Sequence, residues 1–236
     1  MALDPNDYVQ REILFHGGYE LPTLERFDSL LLDARGFTDF GAHMGLYTLR
    51  AARALLPRDG RVFAIEPTIP NAHALLRNAH LSGLQNIELC CAAFSDQGGL
   101  LRMIAPHFNN TGGSRLGNPR NLASDQREIA LHVAVRPAAE LVPLIPEACL
   151  DLVKLDVEGQ EFRILRSLFA STPIRPRNLI VEYLPGICEN DTVDQLALEL
   201  AWLQSEGYEL LNVHGEPYRP EVVLPDSNLW LRRRTS

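Results

Sequence analysis

The stretch Thr38-Asp39-Phe40-Gly41-Ala42-His43-Met44-Gly45-Leu46-Tyr47-Thr48-Leu49 decides how this chain is read. It has the pattern of a buried strand's end, a tight glycine turn and the first turns of a helix. Gly41 and Gly45 bracket the turn, where a residue without Cβ lets the backbone take a positive φ or come close to a ligand. The N–H groups of a helix starting near Gly45 lack partners and point back over the turn. A dinucleotide fold would show G-x-G-x-x-G here. This chain shows D-x-G-A-x-x-G instead, with Asp39 two residues ahead of the first glycine.

An anion beside the turn repels phosphate and suits a ligand that carries positive charge. S-adenosylmethionine (SAM) has both an ammonium and a sulfonium, and it is the cofactor this pattern predicts. A nucleotide-binding oxidoreductase on a Rossmann sheet is the rival from another class. The missing middle glycine and the presence of Asp39 count against it.

Working outward, residues 1–34 read as a helical cap of two pieces around the Gly17-Gly18 break. The helix after the turn runs from about Gly45 to Leu56 and stops at Pro57 and the Asp59-Gly60 turn. Arg61 to Pro67 is a second buried strand that ends on an acid. That acid, Glu66, lies 25 residues beyond Gly41, near the ~20 at which a Rossmann-type site places its ribose-binding acid. A helix from about Pro70 to Leu81 follows. Asn86 to Phe94 reads as one continuous third strand, whose end, Ala93 to Asp96, lies where an adenine edge would be met in a doubly wound sheet.

From residue 100 to 136 the helical rhythm stops. Two β-like runs, Leu100 to Ala105 and Ile129 to Arg136, enclose a polar loop that includes Asn110 and Ser114, and the whole reads as a β-rich insertion or lid. Leu150 to Gly159 is a fourth strand ending on Asp156 and Glu158, and Leu179 to Tyr183 a fifth ending at Glu182. A helix from Val193 to Ser205 and strands at 207–213 and 228–232 complete the chain. Ligands bind outside the carboxyl ends of parallel strands, so Glu66, Asp156 and Glu182 should give the site a rim of negative charge.

Composition sets bounds around this reading. At 236 residues, 46% apolar and 22% charged, the chain suits a single soluble α/β domain over 1–236. Its net charge of -8 disfavours a nucleic-acid backbone or an anionic membrane as partner. The N-terminus lacks a signal peptide's basic-then-apolar order, so a cytoplasmic location is expected. Cys90, Cys91, Cys149 and Cys188 show no C-x-x-C spacing. Reduced, mostly buried thiols are expected.

Four blocks together, Asp39 to Thr48, Ala64-Ile65-Glu66-Pro67, Asn110 to Ser114 and Val153-Lys154-Leu155-Asp156-Val157-Glu158-Gly159-Gln160-Glu161, resemble the FkbM-type family of SAM-dependent methyltransferases. The resemblance covers most of the chain. It implies a class I methyltransferase sheet, Rossmann-like, of seven mostly parallel strands with helices on both faces, the last strand antiparallel and slotted between the fifth and sixth. By the same resemblance Asp39 and Gly41 meet the methionine end of SAM, Glu66 the ribose, Ala93, Phe94 and Asp96 the adenine, and Asp156 the region of the amino group and methyl. Ala42, His43, Gly45, Tyr47, Thr48 and Pro67 are expected to bind the cofactor with them. The family usually carries asparagine where this chain has His43. Tyr19 and Glu20 match a Tyr-Glu pair common in the family and are expected, with Asn110, Ser114 and His214, on the acceptor side. O-methylation of a sugar or natural product is the activity implied, with S-adenosylhomocysteine as product.

Removing the proton of a hydroxyl acceptor needs a carboxylate or histidine within hydrogen-bond reach. Asp156 and Glu158 are the first candidates, then Glu182; Glu158 could instead cap the helix that follows. His43 fits a structural role on the turn, and His214 is a weaker candidate base. Asp156 and Glu182 are also of the kind that hold Mg²⁺ in some O-methyltransferases, but no clear third ligand accompanies them and a metal is not favoured. An N-methyl acceptor, a non-catalytic SAM-fold binding protein and a homodimer are left open.

Overall fold

The structure is a computed structural model, and it describes residues 1–104, 115–116, 130–173, 175–183 and 193–234. Helices α1 (Tyr8–His16) and α2 (Leu21–Leu31) come first. Asp7 caps α1 by accepting the Gln10 N–H at 2.9 Å, and Gly17 ends it in a left-handed turn. There follow β1 (Gly36–Phe40), α3 (Leu46–Leu55), β2 (Arg61–Ile65), α4 (Ile69–Leu81), β3 (Ile87–Cys90), β4 (Ala93–Ser95), β5 (Gly99–Ile104), β6 (Arg115–Leu116) and β7 (Ala130–Pro137). The chain closes with β8 (Leu152–Leu155), α5 (Glu161–Ser171), β9 (Asn178–Glu182), α6 (Val193–Ser205), β10 (Tyr208–Asn212) and β11 (Asn228–Arg233).

Seven strands form the main sheet in the order β3-β2-β1-β8-β9-β11-β10. β1 pairs in parallel with β2 and β8, β2 with β3, and β8 with β9, while β11 runs antiparallel between β9 and β10. This is the expected class I topology. The sequence order reverses at β1, where successive connections leave in opposite directions and open a crevice above the carboxyl ends.

Side chains alternate across the sheet, so each strand serves two cores. Phe37, Val62, Leu152 and Ile180 pack with Leu24, Phe27 and Leu31 of α2 and with Leu49, Ala52 and Leu55 of α3. Phe40, Phe63, Val153, Leu155 and Val181 pack on the other face with Ile164, Leu165 and Leu168 of α5 and Leu200 and Leu203 of α6. Phe27 meets Phe37 and Tyr47 edge-on, with centroids 4.8 and 5.1 Å away, so the cap rests on both the first strand and the cofactor helix. Burying each such aromatic contributes about 1.5–3 kcal/mol.

The expected third strand is two strands. β3 belongs to the main sheet, but after Cys91-Ala92 the chain leaves it, and β4 pairs in parallel with β7 in a second sheet of order β4-β7-β5-β6. β5 and β7 pair antiparallel from Gly99 opposite Val135 to Ile104 opposite Ala130. The insertion is therefore anchored to the main body through β4. Its polar loop, with Asn110 and Ser114, lies outside the described residues. The thiols also differ from expectation: Cys149 is buried, Cys90 half-buried and Cys91 exposed, because the last two lie where the edge strand ends. Among the described residues no helix is long and apolar enough to cross a membrane.

Candidate active site

A cavity of about 1220 Å³, counted with the solvent at its mouth, opens above the carboxyl ends of β1, β2, β8 and β9. Phe40 to His43 line it from the turn after β1, Ile65 to Pro67 from the end of β2, and Lys154, Asp156, Val157 and Glu158 from β8 and its loop. Glu182 closes one side. Val9, Tyr19 and Glu20 reach in from the cap, and Ala92, Ala93, Phe94 and Met103 from the second sheet.

The glycine turn takes its shape from protein rather than from ligand. Gly41 has φ 82°, and a Cβ there would lie 1.8 Å from the carbonyl oxygen of Asp156. Gly45, at φ 98°, starts α3, and a Cβ on it would press on Leu49 and Leu75 at 3.1–3.2 Å. Glu66 is buried and accepts the His43 N–H at 2.8 Å and the Thr68 N–H at 2.9 Å, with the Thr68 hydroxyl on the same oxygen as the latter. One carboxylate thus fixes both the β1 turn and the start of α4.

Among the described residues, the carboxyls of Glu20, Glu66, Asp156, Glu158 and Glu182 line the cavity against one ammonium, Lys154. Burial pushes Glu20 up to about 7, against the opposing pull of Lys154 and the hydrogen bond from Tyr47. It pushes Glu182 up to about 10, with Asp156, Glu158 and Glu161 adding repulsion. Burial and Glu20 raise the Tyr19 phenol to about 12. The His43 imidazole is held below its usual range, chiefly by burial, so the ring is neutral near pH 7. Burial alone would depress the Lys154 ammonium, but Asp156, Glu20 and Asp39 outweigh it and hold it above the usual lysine range.

The structure brings Gly41, Ala42, His43, Tyr47, Glu66, Pro67, Ala93, Phe94, Asp156, Glu158, Glu182, Tyr19 and Glu20 to one cavity wall. Five expected residues, Asp39, Gly45, Thr48, Asp96 and His214, stand behind or away from it. Asp39 is buried and accepts the hydroxyl of Thr48, itself buried on α3, at 2.6 Å, because strand alternation turns Asp39 toward the α3 side; burial raises Asp39 to about 6. Asp96 is exposed beyond β4. His214 is exposed in the turn after the edge strand β10, remote from the crevice that the strand order creates. Gly45 serves the backbone of α3. Glu161, the first residue of α5, ties down the loop before the helix: its Oε1 accepts the N–H groups of Val157 at 2.9 Å and Gly159 at 3.2 Å.

At Glu182, expected as a third candidate base, burial and the neighbouring acids favour the neutral carboxyl near pH 7, a form able to donate a hydrogen bond. Sequence reasoning passed over Lys154 and Gln160. Gln160 accepts the Ser95 hydroxyl at 2.8 Å and so ties α5 to β4. Lys154 had a legible signal, a charge at the centre of the apolar run Leu152-Val153-Lys154-Leu155.

The sequence model of the Methyltransferase FkbM domain matches residues 39–210. No curated protein matches the chain. Among solved structures the chain is similar to a protein from Klebsiella pneumoniae assigned as an O-methyltransferase, at 15% identity and TM-score 0.50, over 93% of this chain and 81% of that one. It is also similar to methyltransferase FkbM from Methylobacillus flagellatus KT, at 16% identity and TM-score 0.48, over 85% of this chain and 44% of that one. A third likeness is to the O-methyltransferase TomG from Streptomyces achromogenes in complex with SAM, at 14% identity and TM-score 0.49, over 92% and 80%. At 15% identity the first of these likenesses speaks to the fold alone.

Proposed function

The chain belongs to the FkbM methyltransferase family, and on that premise we propose that it moves the methyl group of SAM to a hydroxyl of a small molecule. The observation that carries this reading is the acid excess of the cavity: five carboxyls, of which burial favours the neutral form at Glu182 and in part at Glu20, face one ammonium over a glycine turn. Such a site repels phosphate and favours a ligand with a sulfonium and an ammonium. The buried acid Glu66 at the end of β2 stands where a ribose would be met, and Ala92, Ala93 and Phe94 offer an apolar wall to an adenine ring.

The cofactor supplies an electrophilic methyl group. The residues of the chain bind, orient and move a proton. Glu66 and the β1 turn are tied together, so the ribose end is fixed before anything binds. Asp156 and Glu158, which line the cavity, would take the acceptor's hydroxyl proton when the methyl group is transferred to its oxygen. Glu182, protonated, and Tyr19 offer hydrogen bonds to acceptor oxygens. The cap and the second sheet cover the site and restrict water.

Calorimetry with SAM, S-adenosylhomocysteine and NAD tests the cofactor. Labelled-methyl transfer from SAM to a panel of sugars, phenols and amines tests the acceptor. Binding of the two SAM-type ligands without NAD, with label appearing on hydroxyl acceptors, is the expected result. Label confined to amines would replace the hydroxyl reading with N-methylation, for which the acid-rich cavity is also suited. No binding of either SAM-type ligand would remove the proposal.

A further inference from the structure

A buried ammonium persists only where carboxylates and fixed dipoles replace its water. Lys154 is such a group. It is 2% exposed, in the middle of a central strand, and its register partner across β1 and β8 is Asp39. Its Nζ lies 2.6 Å from Asp156 Oδ2 and 4.5 Å from the centre of the Tyr47 ring. The Tyr47 hydroxyl in turn donates to Glu20 of the cap at 2.9 Å. Charged or titratable groups face Lys154 from every neighbouring element: Asp39 from β1, Tyr47 from α3, His43 from the turn, Glu20 from the cap, Asp156 from the loop after β8, and Glu182 from β9.

Strand parity makes this arrangement rigid. Lys154 and Asp156 are two residues apart, so both turn to the same side as the chain leaves the sheet. The lysine backbone is locked between β1 and β9 by pairing on both sides. The ammonium engages one oxygen of Asp156, and that carboxylate also borders the cavity. A charge-assisted bond of this kind holds direction as well as charge.

Resting on the cofactor reading above, we infer that Lys154 is a positioning residue: its ammonium fixes Asp156 by Oδ2, so that the carboxylate is aimed at the cationic methionine end of SAM, and through Tyr47 and Glu20 it joins that carboxylate to the cap. The aim is set before ligand arrives, which is where a fixed charge is most effective.

The test is a mutant cycle on SAM affinity, measured by calorimetry with the full chain: wild type, Lys154→Met, Lys154→Arg, Asp156→Asn and the Lys154→Met/Asp156→Asn pair, each checked for cooperative thermal unfolding. Groups that act as one unit give losses that do not add. Lys154→Met should weaken SAM tenfold or more, Lys154→Arg should stay within threefold of wild type, and Lys154→Met in the Asp156→Asn background should change affinity less than threefold. Equal losses in both backgrounds, or unchanged or tighter binding by Lys154→Met, would overturn the inference. Should the methionine variant not fold, Lys154→Gln runs the same cycle. A wild-type chain that binds no SAM instead sinks the functional reading itself, a result seen in the first arm and separable from the rest.

Discussion

At the scale of single residues, the glycine turn and the loop after β8 constrain each other. Gly41→Ala puts a Cβ against the Asp156 carbonyl at a φ of 82°, so it combines backbone strain with a clash. Its urea unfolding midpoint should fall by the equivalent of about 3 kcal/mol or more. Glu161 gives a contrast between two substitutions at one site. Glu161→Ala removes the Oε1 that accepts the partly buried N–H groups of Val157 and Gly159, at about 1–2 kcal/mol in all. Glu161→Gln keeps an acceptor oxygen and should cost about 1 kcal/mol or less by the same measurement. The bases separate in activity: Asp156→Asn should lower kcat/KM by roughly 10²- to 10⁴-fold, read by labelled-methyl transfer once an acceptor is in hand. Identity and spacing marked Gly41, Glu66 and Asp156 in the sequence. They did not show that Asp39 turns away from the cavity toward Thr48, because which face a strand residue occupies depends on which helix covers that face.

At the scale of elements, α2 is pinned to the C-terminal hairpin. Asp226 accepts both the N–H and the hydroxyl of Thr23 at 3.1 Å, Arg26 donates to the Val213 carbonyl at 2.7 Å, and its guanidinium lies 4.4 Å from the centre of the Trp230 ring. The helix that carries Glu20 at its start is thus held from the far end of the sequence. Asp226→Ala should cost about 1 kcal/mol, the typical loss of a helix-capping acceptor. It should also speed proteolysis within residues 1–34 and weaken SAM binding; unchanged cleavage there would count against the pin. The helices were legible because their apolar faces repeat at helical spacing and their ends carry Pro and Gly. The break between β3 and β4 was not. Leu89 to Phe94 is one apolar run with no turn residue in it, and the chain changes sheets there because β7, some forty residues later, offers β4 a parallel partner.

At the scale of the whole molecule, acids held protonated by burial set the response to pH. Asp39 at about 6, Glu20 and Glu161 at about 7 and Glu182 at about 10 all lie above their unfolded values. Between the unfolded and folded pKa the native state binds more protons than the unfolded one, so these groups make stability fall as pH rises. The melting temperature of the ligand-free protein should therefore drop from about pH 5 to pH 8. A bound cation favours the ionised acids, so SAM should protect more at pH 8 than at pH 6 and release protons on binding, which calorimetry in buffers of different ionisation enthalpy measures. A flat profile in both states would contradict this assignment of charge. What the amino-acid sequence determined by itself was the class of sheet, the order of its helices and strands, and the acids at its strand ends, since apolar period, turn residues and strand-end charges are local. What only the tertiary structure decided was the second sheet's hold through β4 and the burial of Lys154 among carboxyls from separate elements, since each depends on contacts between residues far apart in the chain.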